Sequence, residues 1–196
     1  EEVRSACEKR KISVLMTSEK HPSGTDRIWE VMTLRPGDIY ANIQGDEPLV
    51  RPEHLEALLK PFMEHGNIRV STLKTKISKE PAQSPNVVKV ITDASGRALY
   101  FSRSLIPFDR DGNSAFPIYK HLGFYAYTRE ALEKFHTLKP SPLELTEKLE
   151  QLRFLDNQVP VFVAETPFDT MGVDTEEDLQ RANEILLSGK TFSSTH

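Results

Sequence analysis

Asp38-Ile39-Tyr40-Ala41-Asn42-Ile43-Gln44-Gly45-Asp46-Glu47-Pro48-Leu49 reads as a buried strand running into an acidic turn. Ile39, Tyr40 and Ile43 form an apolar, β-branched and aromatic run too short for a helix. Gly45 relaxes the backbone where the strand ends. Pro48 has no N–H and biases Glu47 away from helix, so the ladder stops there. Asp46 is thereby placed just past the carboxyl end of a strand, the edge at which open α/β sheets bind ligands. A carboxylate in that position suits Mg²⁺, which prefers oxygen ligands and shares them with phosphates. An ordinary acidic turn contains the same residue types.

Outward from this stretch, strands and helices alternate. Residues 1–10 carry Val3 and Cys7 on one helical face, and Ile12 to Met16 alternates as a strand. Thr17 to Arg27 is a polar loop with Pro22 and Gly24, and Ile28, Val31 and Met32 make the apolar face of the helix that follows. Arg51-Pro52-Glu53 opens a helix with Leu55, Leu58 and Leu59 as its buried stripe. Asn67 to Ile77 is a strand, Lys79 to Pro85 a loop, and Val87–Thr92 with Ala98–Ser102 a hairpin about Asp93-Ala94-Ser95-Gly96. Residues 106–113 are an irregular loop, and Pro117 to Tyr127 a strand.

Thr128 caps a helix to His136, and Ser141 with Glu144 makes a capping box for another helix. That helix turns Leu145, Leu149, Leu152 and Leu155 to a core and leaves Glu147, Glu150 and Gln151 on other faces. Val159 to Ala164 is a strand, Thr175 caps a last helix from Glu176 to Leu187, and residues 188–196 fray. The pattern predicts an α/β fold: a three-layer body with a mixed, mostly parallel sheet from residues 1–85 and 136–190, a strand-rich lobe at 86–135 and a tail at 191–196.

Composition narrows the classes. The 196 residues are 38% hydrophobic and 28% charged, which fits a globular protein with a real core. A net charge of −4 argues against a general nucleic-acid binder. The single cysteine, Cys7, cannot form an internal disulfide and points to a reducing compartment, here the cytoplasm. No run approaches the ~18 apolar residues of a membrane span, so no membrane insertion is expected.

The heptapeptide Asn42 to Pro48 resembles the signature of the sugar-acid cytidylyltransferases, on the branch that activates 3-deoxy-manno-octulosonate (Kdo). Further blocks agree in order: Met16-Thr17-Ser18 with His21 to Arg27; Tyr100-Phe101-Ser102-Arg103; Lys120 to Tyr125; Pro142-Leu143-Glu144 running into Glu150-Gln151-Leu152-Arg153; and Gly172-Val173-Asp174-Thr175. The likeness runs from Val14 to about Ala182. It implies a nucleotide-diphospho-sugar-transferase-like body with a dimer-forming, sugar-binding lobe, CTP and Kdo as substrates, Mg²⁺ as cofactor and a homodimer. The family opens on a strand and an Arg- and Lys-bearing phosphate loop that these residues do not contain, so the expectation is a chain whose first part is missing or not shown.

By resemblance, Asp46 and Asp174 hold Mg²⁺ and act in catalysis, and Ser23, Arg27 and Gln44 bind the nucleotide. Arg103, His121, Tyr125, Glu150 and Gln151 bind the sugar. Each has a plainer reading from the residues alone. Asp174 is also a helix N-terminal acid, Ser23 a cap and Arg103 a surface ion-pair partner. His121 and Tyr125 suit a core, and Glu150 and Gln151 a solvated helix face. A sialic acid or amino-Kdo substrate and a non-catalytic binding fragment remain the alternatives at this point.

Overall fold

The computed structural model describes residues 2–112 and 115–188. In chain order its elements are α1 (Glu2–Lys9), α2 (Gly24–Leu34), β1 (Ile39–Asn42), α3 (Pro52–Glu64), β2 (Val70–Ile77), α4 (Lys79–Ala82) and β3 (Lys89–Thr92). There follow β4 (Ala98–Ser102), β5 (Ile118–Thr128), α5 (Arg129–Thr137), α6 (Pro142–Glu147), α7 (Leu152–Asp156), β6 (Phe162–Glu165) and α8 (Glu176–Ser188).

The strands form one six-stranded sheet in the order β4-β3-β5-β2-β6, with β1 also paired to β5. The sheet is mixed, as expected, but its balance is the reverse of the mostly parallel expectation. β2 and β6 are parallel, whereas β1, β2 and β3 all run antiparallel to β5 and β3 pairs antiparallel with β4. The cause is β5, which runs against each of its three partners. Period-two alternation along it feeds two cores. Tyr125 and Tyr127 join Met32, Leu132, Phe135 and Phe154 under α2, α5 and α7. Leu122, Phe124 and Ala126 join Leu58 and Leu73 under α3. This gives the three layers, and each fully buried side chain such as Phe124 contributes roughly 1.5–3 kcal/mol.

The sheet is split along one edge of β5. Tyr125 faces Asn42 of β1 and Thr72 of β2, while Lys120 faces Lys89 of β3 and Thr75 of β2. β1 and β3 therefore lie on the same side of β5, opposite β2, and do not meet. At the split the β2–β5 register shifts, from Thr72↔Tyr125 to Leu73↔Leu122. Two extra residues bulge there, and an even number preserves the alternation of faces. The backbone carbonyls of Leu122 and Phe124 lie 3.2 and 2.7 Å from the Thr72 hydroxyl.

Several local expectations are met. Ser141 Oγ accepts from the Glu144 N–H and the Glu144 carboxylate accepts from the Ser141 N–H, closing the capping box. Thr175 and Asp178 cap α8 in the same reciprocal way. The hairpin turns at Gly96, whose φ of +82° suits glycine and which packs under the Phe162 ring.

Other expectations are corrected. Ile12 to Met16 forms no strand: no partner ladder exists for it among the described residues, and Ile12 and Met16 stay about half exposed. The helix from Ser141 is two helices, broken where Lys148 takes a left-handed conformation at φ 55°. Leu145 is exposed, and Gln151, expected on an outer face, is buried beyond the break. Leu55 leaves the buried stripe of α3, residues 79–82 are helical rather than loop, and β6 begins at Phe162 rather than Val159. Asn113 of the predicted loop and most of the 188–196 tail lie outside the described residues. Residues 86–135 supply β3, β4 and β5 to the common sheet.

Candidate active site

A cavity of about 550 Å³ opens at the split. Its wall is built from four segments: Gln44, Asp46 and Glu47 beyond β1; Asn86 to Val88 before β3; Lys120, His121, Gly123 and Tyr125 of β5; and Met171, Gly172 and Asp174 before α8. Gln151 closes one side, and Asp178 and Arg181 of α8 another. Six of the sequence-predicted residues therefore meet here: Gln44, Asp46, His121, Tyr125, Gln151 and Asp174.

The acidic turns are tied together before any ligand arrives. The Val173 N–H donates to the Asp46 carbonyl at 2.9 Å, and the Thr170 hydroxyl donates to Glu47 at 2.7 Å. Burial pushes the Glu47 carboxyl up, against the Thr170 hydrogen bond. The Asp46 and Asp174 carboxylates have no hydrogen-bond or ion-pair partner among the described residues. Asp178, by contrast, is committed to capping, and its bond from Thr175 holds its carboxyl below the usual range.

The β5 side chains present a preorganised polar face. His121 is buried, stands edge-on to Phe101 at 4.9 Å, and lies 2.9 Å from the Thr72 hydroxyl through Nε2. Burial, aided by Lys120, lowers its pKa to about 3, so it is a neutral hydrogen-bonding group at neutral pH. Tyr125 lies 5.4 Å from the His121 ring, and its buried hydroxyl has no partner among the described residues.

The other predicted residues flank the cavity rather than line it. Ser23 caps α2 and also donates to Asp26 at 2.7 Å. Arg27 and Glu30, three apart on α2, stitch down the 17–21 loop: Arg27 donates to the Thr17 hydroxyl at 2.5 Å, and Glu30 takes the Ser18 N–H and pairs with His21. The start of α2 presses on Gln44, since a Cβ at Gly24 would lie 3.3 Å from the Gln44 amide nitrogen. Glu150 accepts from the Thr25 N–H at 3.4 Å, and burial raises its carboxyl. Arg103 is outside the lining and donates to the carbonyls of Glu147 at 2.8 Å, Pro85 at 3.0 Å and Lys148 at 3.5 Å, next to the lining residues Asn86 and Leu149.

Sequence reasoning missed Lys120, Glu47 and Lys89. Lys89 is fully buried and donates to three carbonyls, those of Ser84, Val87 and Arg103. Nothing in a strand pattern distinguishes such a lysine from an exposed one. Among the described residues no cluster of three or more His, Cys, Asp or Glu forms a ready metal cage. Two free carboxylates in a cavity lined by four carboxylates and two cationic side chains nevertheless fit Mg²⁺, which binds through one or two carboxylates and takes its other oxygens from water and phosphate. No helix of the described residues is long and apolar enough to cross a membrane.

A three-layer α/β body with acidic turns beyond β1 and before α8 over a polar cavity fits the nucleotidyltransferase class of protein, and the family match below assigns it. The backbone superposes with a TM-score of 0.59 on a putative glucose-1-phosphate thymidylyltransferase from Bacillus anthracis that is 16% identical, a likeness of fold alone. A family profile described as Cytidylyltransferase matches residues 1–166. The chain is 52% identical to the 3-deoxy-manno-octulosonate cytidylyltransferase of Koribacter versatilis, over 96% of this chain and 71% of that one. It is 49% identical to the enzyme of the same name from Acidobacterium capsulatum, over 97% and 77%. A structure of CMP:2-keto-3-deoxy-manno-octonic acid synthetase complexed with CTP superposes with a TM-score of 0.91 at 37% identity, covering 96% of this chain and 78% of that one. The chain belongs to the 3-deoxy-manno-octulosonate cytidylyltransferase family.

Proposed function

We propose that the protein transfers CMP from CTP to Kdo, releasing pyrophosphate and supplying CMP-Kdo for lipopolysaccharide or related cell-envelope polysaccharide synthesis. The observation that carries this reading is the convergence of Gln44, Asp46, His121, Tyr125, Gln151 and Asp174 on one cavity in a chain of this family.

The reaction forms a bond between the sugar's C2 oxygen and the α-phosphorus and breaks the bond to the β-phosphate, with the electron pair leaving on pyrophosphate. Catalysis of this kind rests on alignment and electrostatics. Asp46 and Asp174 would hold a Mg²⁺ ion, which supplies charge neutralisation and makes a bound hydroxyl a better nucleophile. Neutral His121, the unpaired Tyr125 hydroxyl and the Gln151 amide bind sugar hydroxyls. Glu150 steadies the start of α2 beside Gln44, so the nucleotide side, with Ser23 and Arg27, and the sugar side are held by one contact. Arg103 keeps guanidinium donors beyond its three carbonyl bonds for the sugar carboxylate.

Residues 86–135 are proposed as the sugar-binding and dimer-forming lobe. The exposed Phe108 and Phe116 support a homodimer contact there, and the setting is proposed to be cytoplasmic. Pyrophosphate release, measured with CTP, Mg²⁺ and Kdo against sialic acid and amino-Kdo, tests the reading. Turnover is expected with Kdo, and none with Kdo would overturn it.

A further inference from the structure

Lys120 has a part in this cavity that its place in a strand does not reveal. Its ammonium donates to Asp169 Oδ1 at 2.8 Å and to the Thr170 carbonyl at 2.6 Å. Both partners are buried, and Lys120 itself is largely covered. From Thr170 the connection continues through its hydroxyl to Glu47, the neighbour of Asp46. The same segment returns to Asp46 through the Val173 N–H, one residue before Asp174. Lys120 thus joins β5, which carries His121 and Tyr125, to both turns that carry the free carboxylates.

We propose that Lys120 is a positioning residue: it holds the Asp46 and Asp174 turns in register with the sugar-facing side chains of β5. The proposal rests on the reading of the cavity as the CTP and sugar-acid site. The two directed hydrogen bonds fix where the Asp169–Thr170 segment stands against β5, and removing the cation would leave the buried Asp169 charge uncompensated. Partners one step removed from metal ligands typically change metal affinity or activity by about 10–100-fold when lost.

The test compares Lys120→Met, Lys120→Arg and Thr170→Val in the full protein. Hydrogen exchange at the Val173 amide reads the register without any activity, with the Tyr127 amide of β5 as an internal control. Lys120→Met is expected to speed Val173 exchange at least about tenfold beyond any change at Tyr127, which reads the stability lost when Asp169 is left unpaired, and to raise the Mg²⁺ concentration for half-maximal turnover by about 10–100-fold. Lys120→Arg, which can donate to the same two oxygens, should restore most of both. Thr170→Val cuts only the link to Glu47 and should move both readouts in the same direction by less; it carries the test if Lys120→Met does not fold.

Unchanged Val173 exchange and Mg²⁺ requirement in folded Lys120→Met would overturn the proposal. So would a loss of kcat with both unchanged, which would make Lys120 a substrate contact instead. If the wild type releases no pyrophosphate with Kdo, the functional reading fails while Val173 exchange still decides the role of Lys120.

Discussion

The backbone N–H of Val173 is bonded to the carbonyl of Asp46 at 2.9 Å, although the two residues are far apart in the chain. One bond therefore sets how the carboxylates of Asp46 and Asp174 stand relative to each other, since each belongs to or adjoins a bonded residue.

Asp46→Asn and Asp174→Asn should each lower turnover by at least about 10²-fold while leaving the fold intact, because neither carboxylate has a partner to lose among the described residues. Groups that act as a unit are non-additive, so the double variant should be little worse than either single. Steady-state rates across a Mg²⁺ titration, with circular dichroism as control, check this. Near-normal turnover in either folded single variant would remove that residue from the site.

His121 gives a pH signature. Its pKa falls from 6.5 to about 3 on folding, so the unfolded chain binds the proton first as pH drops. Its contribution is fully present above pH 6.5 and should be lost on acidification, at up to about 1.4 kcal/mol per pH unit down to about 3. His121→Gln cannot take the proton. Urea unfolding of both proteins between pH 7 and 4.5 should show a shallower loss in the variant; parallel curves would mean that His121 is not buried neutral.

Gly123 lines the cavity, and a Cβ added there meets nothing within 4 Å. Gly123→Ala should therefore leave stability within about 0.5 kcal/mol of wild type yet narrow the site. The KM for the sugar acid should rise about tenfold, the scale of one methylene in a fitted pocket. Thermal melts and initial rates test both halves of the statement, and an unaltered KM would place the sugar elsewhere.

Arg153 forms a buried pair with Glu144, donating at 2.7 Å through Nε, and its guanidinium lies over the Phe135 ring at 4.1 Å. Glu144 also closes the α6 capping box, so one carboxylate serves two purposes. Arg153→Met leaves that charge without its cation and should cost about 3–5 kcal/mol. The joint change with Glu144→Gln should recover part of the loss. Equal denaturation midpoints for Arg153→Met and wild type would contradict this.

How much the sequence discloses depends on how local the cause is. The Ser141–Glu144 box, the Thr175 cap and the Gly96 turn span a few residues, and all three are legible because their chemistry is complete within one turn. The placement of Asp46 at a strand end is legible for the same reason. Ile12 to Met16 alternates correctly, but a strand also requires a partner, and alternation says nothing of pairing. Strand direction is likewise non-local, which is why a mostly parallel sheet was expected where β5 opposes its neighbours. Lys120 escaped because its partner is Asp169, 49 residues on. The kink at Lys148, a non-glycine residue in a left-handed conformation, carries no composition signal, yet Gln151 is buried beyond it.

The gap between β1 and β3 has a consequence for how the protein coheres. A ligand lodged there stands where a strand would, touching the segment beyond Gln44 on one side and the segment before Lys89 on the other. Occupancy then works as a splice between two parts of the sheet that share only β5. The melting temperature should climb with substrate concentration as for any ligand of the native state. Amide protection gained on binding should appear on both banks of the gap together, in β1 and in β3, rather than around the carboxylates alone.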